Sequence, residues 1–332
     1  MSSRHLATLL ATASLLAACV PTDTSQQDAG WVPFDPDASV DAGDGGGPDD
    51  PDAGGDADTT GEDGGGSGDD AGQDADDPVE DAGDDTGDET DSGNPTSCLP
   101  NRDGMITRAE VPLQAGLFAT YRVAADAPVD TDGEPAAQGD GRDWDLSGDL
   151  PGDQLVIVEA REPEGFWFST DYPDATYVTP LSASTDLLGI FQITDDALLL
   201  LGVASPEDGF TSTNLEYDPP VAVLSFPLTA DSSWSTDATI TGSFNGSLSW
   251  FQTEDYASQV DSMGTMKTPF GTFENVMRVR TDLSRTVGLL TTDIRTYLYV
   301  AECFGTVATI VSQDNESDVE FDTASEVRRL AP

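Results

Sequence analysis

The stretch Ile240-Thr241-Gly242-Ser243-Phe244-Asn245-Gly246-Ser247-Leu248-Ser249-Trp250-Phe251 decides the fold class of this chain. Two runs of mixed apolar and hydroxyl residues, 240–244 and 247–251, are joined in it by Asn245-Gly246. Asn-Gly is favoured in the two-residue turns of β-hairpins, because both positions of the turn take a positive φ angle. The stretch therefore predicts two antiparallel strands connected by a tight turn.

Runs with the alternation of a half-buried strand continue on both sides of this hairpin. In residues 274–287, Met277 and Val279 share one face, while Arg278 and Arg280 share the other. Further strands are predicted at 117–124, 155–160, 166–168, 189–194, 197–203, 221–226, 295–303 and 305–312, with single helical turns at 107–111 and 184–188. The pattern predicts a mostly β domain built on a single antiparallel curled sheet, as a half-barrel or a sandwich-like fold.

The β-rich domain extends over residues 98–332, where apolar and aromatic residues return after a long polar segment. Cys98 opens this domain and Cys303 lies near its end. An even pair of cysteines in an exported protein predicts a disulfide. The closed loop is long, so the bond would contribute about 5 kcal/mol in the chain-entropy model. Two buried free thiols are the alternative.

Residues 1–18 have the features of an export signal. Arg4 and His5 precede an apolar run that is too short to span a bilayer. Leu16-Ala17-Ala18-Cys19 resembles the lipobox of bacterial lipoproteins. The resemblance implies cleavage before Cys19 and acylation of Cys19 with lipid chains such as palmitate, which would anchor the chain in a bilayer. An ordinary signal peptide with a chance cysteine is the alternative.

Residues 19–97 are predicted to form a lipidated amino terminus followed by a disordered tether. Positions 20–97 hold 25 acidic residues and no basic ones. Such a segment buries too little apolar surface to offset its ordering entropy. A flexible chain of this length spans roughly 50 Å and reaches at most about 260 Å. A spacer is one interpretation, and a low-affinity calcium-recruiting segment is the other.

The overall composition excludes several kinds of chemistry. The chain has 13 basic and 63 acidic residues, a net charge of −50, and its one histidine is His5 in the predicted leader. Serine or cysteine catalysis that needs an imidazole base is therefore excluded from the mature chain. The acidity also disfavours nucleic acid as a partner, because phosphate binding needs a basic surface. Carboxylate acid/base chemistry and binding of hard cations remain open.

A second resemblance rests on Thr268-Pro269-Phe270-Gly271-Thr272-Phe273-Glu274-Asn275-Val276 and on Cys303-Phe304-Gly305-Thr306-Val307. Both segments are similar to parts of outer-membrane lipoproteins of myxobacteria-like Gram-negative bacteria. The domain more distantly resembles the β half-barrels of lipoprotein carriers, which implies a cavity for a lipid or another hydrophobic ligand. A fold of this kind hosts many functions.

One loop fits part of an EF-hand calcium motif. Asn101 and Asp103 supply oxygen ligands at motif positions 3 and 5, and Gly104 stands at position 6, where the loop turns sharply. The apolar Ile106 falls at position 8 and the closing carboxylate of Glu110 at position 12. Position 1 is Leu99 rather than Asp, so the affinity for calcium is expected to be weak. The alternative is a helical turn capped by Thr107, with Glu110 in a capping box.

Other candidate sites carry a structural alternative. The acidic segments 130–134 and 139–143 are predicted as solvated turns or as hydrated-cation sites. Four tryptophans are predicted as core residues or as a carbohydrate platform, namely Trp144, Trp167, Trp234 and Trp250. No spacing singles out a pair of catalytic carboxylates.

The sequence therefore predicts a non-enzymatic lipoprotein. Its expected place is the outer membrane, anchored through acylated Cys19 and facing the periplasm or the cell surface, because Val20 stands where an inner-membrane lipoprotein often has Asp. The β-rich domain is expected to bind an unidentified protein or ligand or to serve as a structural element. Carriage of a hydrophobic ligand is the first alternative, and a carboxylate-dependent hydrolase is the second.

Overall fold

Fourteen β-strands form one sheet in the computed structural model, which describes residues 98–137 and 139–332. In chain order they are β1 Phe118–Pro128, β2 Glu134–Pro135, β3 Arg142–Asp145, β4 Gln154–Glu159, β5 Tyr177–Pro180, β6 Leu188–Ile193, β7 Ala197–Ala204, β8 Asn214–Ser225, β9 Ser233–Phe244, β10 Ser247–Lys267, β11 Thr272–Val287, β12 Leu290–Ala301, β13 Gly305–Ser312 and β14 Thr323–Ala331. The predicted leader, Cys19 and the predicted tether lie outside the described residues.

Twelve of these strands follow one another in antiparallel order around the sheet. The order is β4-β1-β14-β13-β12-β11-β10-β9-β8-β7-β6-β5, and β2 and β3 are attached beside β10. The two ends of the sheet meet through one backbone bridge between Arg161, two residues after β4, and Val178 of β5. Arg161 N donates to Val178 O at 2.8 Å, and Val178 N donates to Arg161 O at 2.9 Å. The predicted antiparallel curled sheet is confirmed, and it comes round further than a half-barrel, nearly closing into a barrel.

The hairpin that the sequence predicts forms between β9 and β10. Asn245 and Gly246 have φ angles of 47° and 78°, as a two-residue turn requires. The alternation predicted for β11 is also observed. Val279 is paired with Val260 and Leu298 on the inner face, while Arg280 faces outward.

The inner face of the barrel is filled by apolar side chains. Strands β5 to β12 contribute, among others, Tyr177, Phe191, Leu198, Leu215, Ile240, Val260, Val279 and Leu298. The segment before β1 closes one end of this lumen with Ile106, Val111 and Leu113. It is held there by a backbone bridge in which Ile106 N donates to Leu228 O at 2.9 Å. The interior is a packed core rather than an open cavity.

Two outer layers cover parts of the barrel. One is built on β12, β13, β14 and β1 and contains Trp144, Tyr297 and Phe321. The other covers β5 to β7 and contains Phe168 and Tyr172. The structure corrects the strand predicted at 166–168, which is a covering loop followed by a 3₁₀ turn at Ser169–Asp171.

That loop leaves the sheet because Pro163 and Gly165 interrupt the extended chain ahead of it, and its aromatic rings then fold back onto the strands. The structure also corrects the helical turn predicted at 184–188. Ser182 Oγ accepts from Ser184 N at 3.1 Å, and Thr185 Oγ1 accepts from Leu187 N at 3.3 Å. These side-chain bonds compete with helical ones, and strand β6 begins at Leu188.

Arg278 fastens the first outer layer to the barrel. Its Nε and Nη2 donate to the two oxygens of Asp261 at 2.8 and 3.1 Å, and Nη2 also donates to Glu320 at 2.8 Å. Nη1 donates to the carbonyl of Thr131 at 2.5 Å, and the guanidinium lies 4.4 Å from the ring centre of Tyr297. Burial opposes the charge, but these partners outweigh it and raise the pKa of Arg278.

We predict that Arg278→Met destabilises the domain by about 3–5 kcal/mol, because the buried Asp261 carboxylate loses its two hydrogen bonds from Arg278 and keeps only Arg280, 3.8 Å away, as an ion-pair partner. Urea unfolding followed by circular dichroism measures the change. Arg102→Met is the matched control, since Arg102 and Glu274 form an exposed pair worth less than about 1 kcal/mol. Equal losses in the two variants would contradict the role given to Arg278.

Candidate functional site

The predicted calcium loop folds into a capped helical turn. Glu110 Oε2 accepts hydrogen bonds from Thr107 N at 2.7 Å and from Thr107 Oγ1 at 2.8 Å. Its other carboxylate oxygen accepts from Asn101 Nδ2 at 2.7 Å. The turn itself is the 3₁₀ helix Arg108–Glu110. Glu110 therefore acts as the capping-box residue that the sequence allowed as an alternative.

The other predicted calcium ligands shape the same loop. Asn101 Oδ1 accepts from Asp103 N, and Asp103 Oδ1 accepts from Met105 N, both at 2.9 Å. Leu99 is exposed at the position of the missing first ligand. Among the described residues, no group of three or more His, Cys, Asp or Glu side chains is arranged to hold a metal ion. Calcium binding by Asn101, Asp103 and Glu110 stays a prediction.

Two substitutions of Glu110 separate the capping role from calcium binding. We predict that Glu110→Ala destabilises the domain by about 1 kcal/mol, whereas Glu110→Gln has a smaller effect because Gln also completes a capping box. Thermal unfolding with and without 5 mM calcium, a concentration of about the order that weak extracellular sites need, is the measurement. A calcium-induced rise in Tm that Glu110→Gln abolishes would make Glu110 a ligand.

The predicted cysteine pair lies close to this loop. Cys98 and Cys303 have their sulfur atoms at disulfide distance and their Cα atoms 5.4 Å apart. Cys303 N also donates to Glu110 O at 2.7 Å. Both contacts join the segment that closes the lumen to the turn between β12 and β13. The pair is thus placed to hold that segment over one end of the barrel.

A polar cluster that the sequence did not single out lies inside the barrel near its other end. Glu254 is fully buried, and its Oε1 accepts from Arg285 Nε at 2.6 Å and from Gln252 Nε2 at 2.8 Å. Tyr256 Oη donates to the second oxygen of Glu254. Burial and the Glu254 charge raise the pKa of Tyr256 well above its usual value. The carboxylate is held by protein donors and lines no open cleft.

The register of the sheet explains this cluster. Glu254 is paired with Arg285 between β10 and β11, so the two side chains share the inner face. In sequence the two residues are 31 positions apart, and each looks like an ordinary surface charge. The only local signal is that Gln252, Glu254 and Tyr256 alternate with Thr253 and Asp255.

Of the cavities in the described residues, one lies at the lumen and another at the Cys98 end. A small, partly open space of about 40 Å³ lies beside Tyr256, Ser258 and Thr281, where the Ser258 and Thr281 hydroxyls are 2.8 Å apart. A surface cleft of about 670 Å³ lies at the Cys98 end and is lined partly by Arg108 and Phe226. The first space is too small for a lipid chain, and the second is open to solvent on one side.

The four tryptophans do not form a common platform. Each indole Nε1 donates to a protein oxygen, as follows: Trp144 to Thr131 O at 3.1 Å, Trp167 to Ser205 O at 2.9 Å, Trp234 to Ala222 O at 2.8 Å and Trp250 to Gln252 Oε1 at 2.9 Å. They belong to or pack against three different apolar clusters. The structure favours the packing role that the sequence offered as one of two.

The acidic segments 130–134 and 139–143 are only partly turns. Their ends form the short hairpin of β2 and β3, in which Glu134 is paired with Asp143 and Pro135 with Arg142. Arg142 also forms an ion pair with Asp132 at 3.0 Å. The prediction of solvated turns is corrected at these ends, because β3 adds to the edge of β10 in parallel.

Comparisons with protein-family models, with curated proteins and with solved structures found no match for this chain. Within residues 98–137 and 139–332, no helix has the length and apolar character needed to cross a membrane.

Proposed function

We propose that this chain is an exported lipoprotein of the bacterial envelope, anchored through acylated Cys19, with a β-barrel domain that has a non-catalytic binding or structural role. The observation that carries the proposal is the lipobox-like Leu16-Ala17-Ala18-Cys19 at the end of an apolar leader. The Cys98–Cys303 pair at disulfide distance supports an oxidising compartment, as expected after export. The acidic segment between Cys19 and Cys98 would act as a spacer.

A non-catalytic role fits the chemistry of the described domain. It contains no histidine, and its most deeply buried carboxylate, Glu254, is bonded to Arg285, Gln252 and Tyr256. A hydrolase that uses two carboxylates needs both to face a substrate in a cleft. Glu254 does not meet that requirement, because it lies inside a packed lumen.

The alternative of a hydrophobic-ligand carrier needs an open apolar cavity. Here Ile106, Val111 and Leu113 close one end of the lumen, and the space inside is about 40 Å³. Typical ligand pockets have about 300–1,000 Å³. The packing therefore gives more support to a binding surface or a structural element than to a carrier.

Metabolic labelling tests the lipid anchor directly. Cells that express the full chain are grown with a palmitate analogue, and the purified protein is analysed by mass spectrometry of its amino-terminal peptide. We expect label on Cys19 and its loss in Cys19→Ser. Cys98→Ser serves as the control, because it removes a thiol that the proposal does not acylate. An unlabelled wild-type chain, or label that persists in Cys19→Ser, would refute the proposal.

A further inference from the structure

The directions of the strands place alternate connections at opposite ends of the barrel. Cys98, Cys303 and the Ile106–Leu228 bridge mark one end, together with the connections β8–β9, β10–β11 and β12–β13. The connections β7–β8, β9–β10, β11–β12 and β13–β14 lie at the other end. We call this second end the distal end, since it is remote from Cys98.

The distal end carries large apolar side chains that face solvent. Phe210 in the β7–β8 connection is 102% exposed, Leu289 in the β11–β12 turn is 101% exposed, and Leu290 at the start of β12 is 76% exposed. Phe251 near the start of β10 is 63% exposed. These four residues are called the distal apolar rim below.

The members of the rim are neighbours in the fold. The Phe210 loop touches the β9–β10 turn, where Gly246 N donates to Ser212 O at 3.3 Å. The pairing of β10 with β11 then runs to Thr253 and Thr286, which brings Phe251 beside the β11–β12 turn. The rim thus follows three adjacent connections.

The rim also lies on two segments that contain no charge. Residues 238–253 and 286–292 have no Asp, Glu, Lys, Arg or His, although residues 98–332 hold 38 acidic and 12 basic residues. Charges are thus absent from the outer ends of four consecutive strands, β9 to β12. Glu207 and Asp208 flank Phe210 at one side of the rim, and Asp314 follows β13 in a nearby connection.

We propose that the distal apolar rim binds the surface of a zwitterionic lipid bilayer by inserting these side chains among the headgroups. Phe210 and the Leu289-Leu290 pair stand at two separate connections, with Phe251 on the outer face of β10 between them, and small apolar groups of this kind suit partial insertion into a soft interface. A second copy would need a continuous surface of about 800 Å² on each partner. The flanking carboxylates and the acidic domain favour neutral lipids over anionic ones. This inference goes beyond the lipid anchor proposed above and does not depend on it.

Vesicle sedimentation tests the proposal with the chain from residue 19 onward carrying Cys19→Ser, which removes both the apolar leader and any contribution from acylation. The vesicles contain phosphatidylcholine and phosphatidylethanolamine. We expect Leu289→Ser with Leu290→Ser to weaken binding at least about tenfold, because the inserted apolar area is lost. The matched control is Leu155→Ser with Ile157→Ser, since both residues are 68% exposed on the side of the barrel. We expect binding of the control to change less than about twofold.

Three results would overturn the proposal. They are absence of vesicle binding by the Cys19→Ser chain, equal weakening in the rim variant and the control, and a concentration-dependent dimer that only the rim variant abolishes. Stronger binding when phosphatidylglycerol replaces half of the phosphatidylcholine would also count against it, because the acidic rim flank predicts repulsion. Circular dichroism of each variant checks that the fold is kept. None of these results bears on whether Cys19 is acylated.

Discussion

The backbone bridge between Arg161 and Val178 is the constraint on which the rest of the structure depends. It joins the chain two residues after β4 to β5, and so brings together the two strands that end the sheet. The two hydrogen bonds are modest by themselves, at about 1 kcal/mol each. Their effect is topological, because a nearly closed sheet separates an inner face from an outer face and fixes which side chains meet.

In a nearly closed barrel, charged and polar side chains in the lumen need hydrogen-bond partners from the protein itself. Most inner positions are apolar, but Glu254, Arg285, Glu326 and Arg328 also lie on the inner face. Such charges are tolerated only when they are paired and hydrogen-bonded. Glu254 is bonded to Arg285, and Glu326 accepts from Arg328 at 3.0 Å and from a serine hydroxyl. The interior is therefore packed and these charges are paired, so function is best sought on the surface.

Local sequence signals predicted the hairpins and the class of the fold, because the β9–β10 turn and strands such as β13 Gly305–Ser312 depend on neighbouring residues. Strand β14 Thr323–Ala331 was not predicted. Its Arg328 and Arg329 resemble surface charges in sequence, yet both are buried because partners arrive from distant segments. At the candidate calcium loop, the sequence motif singled out Asn101, Asp103 and Glu110. Whether Glu110 caps a turn or binds a metal depends on hydrogen-bond geometry that the spacing of residues does not specify.

The same closure explains why the distal apolar rim cannot be read from the sequence. Phe210, Phe251, Leu289 and Leu290 are scattered over 81 residues, and each one alone is an unremarkable exposed apolar residue. Up-and-down connectivity places every second connection at one end, so residues that are distant in the chain form one edge. The outer ends of β9 to β12 carry no charge although the domain is acidic, so this part of the edge differs from the surface beside it, where Glu207, Asp208 and Asp314 lie. Contact of these apolar side chains with a lipid bilayer, as proposed above, would explain this difference.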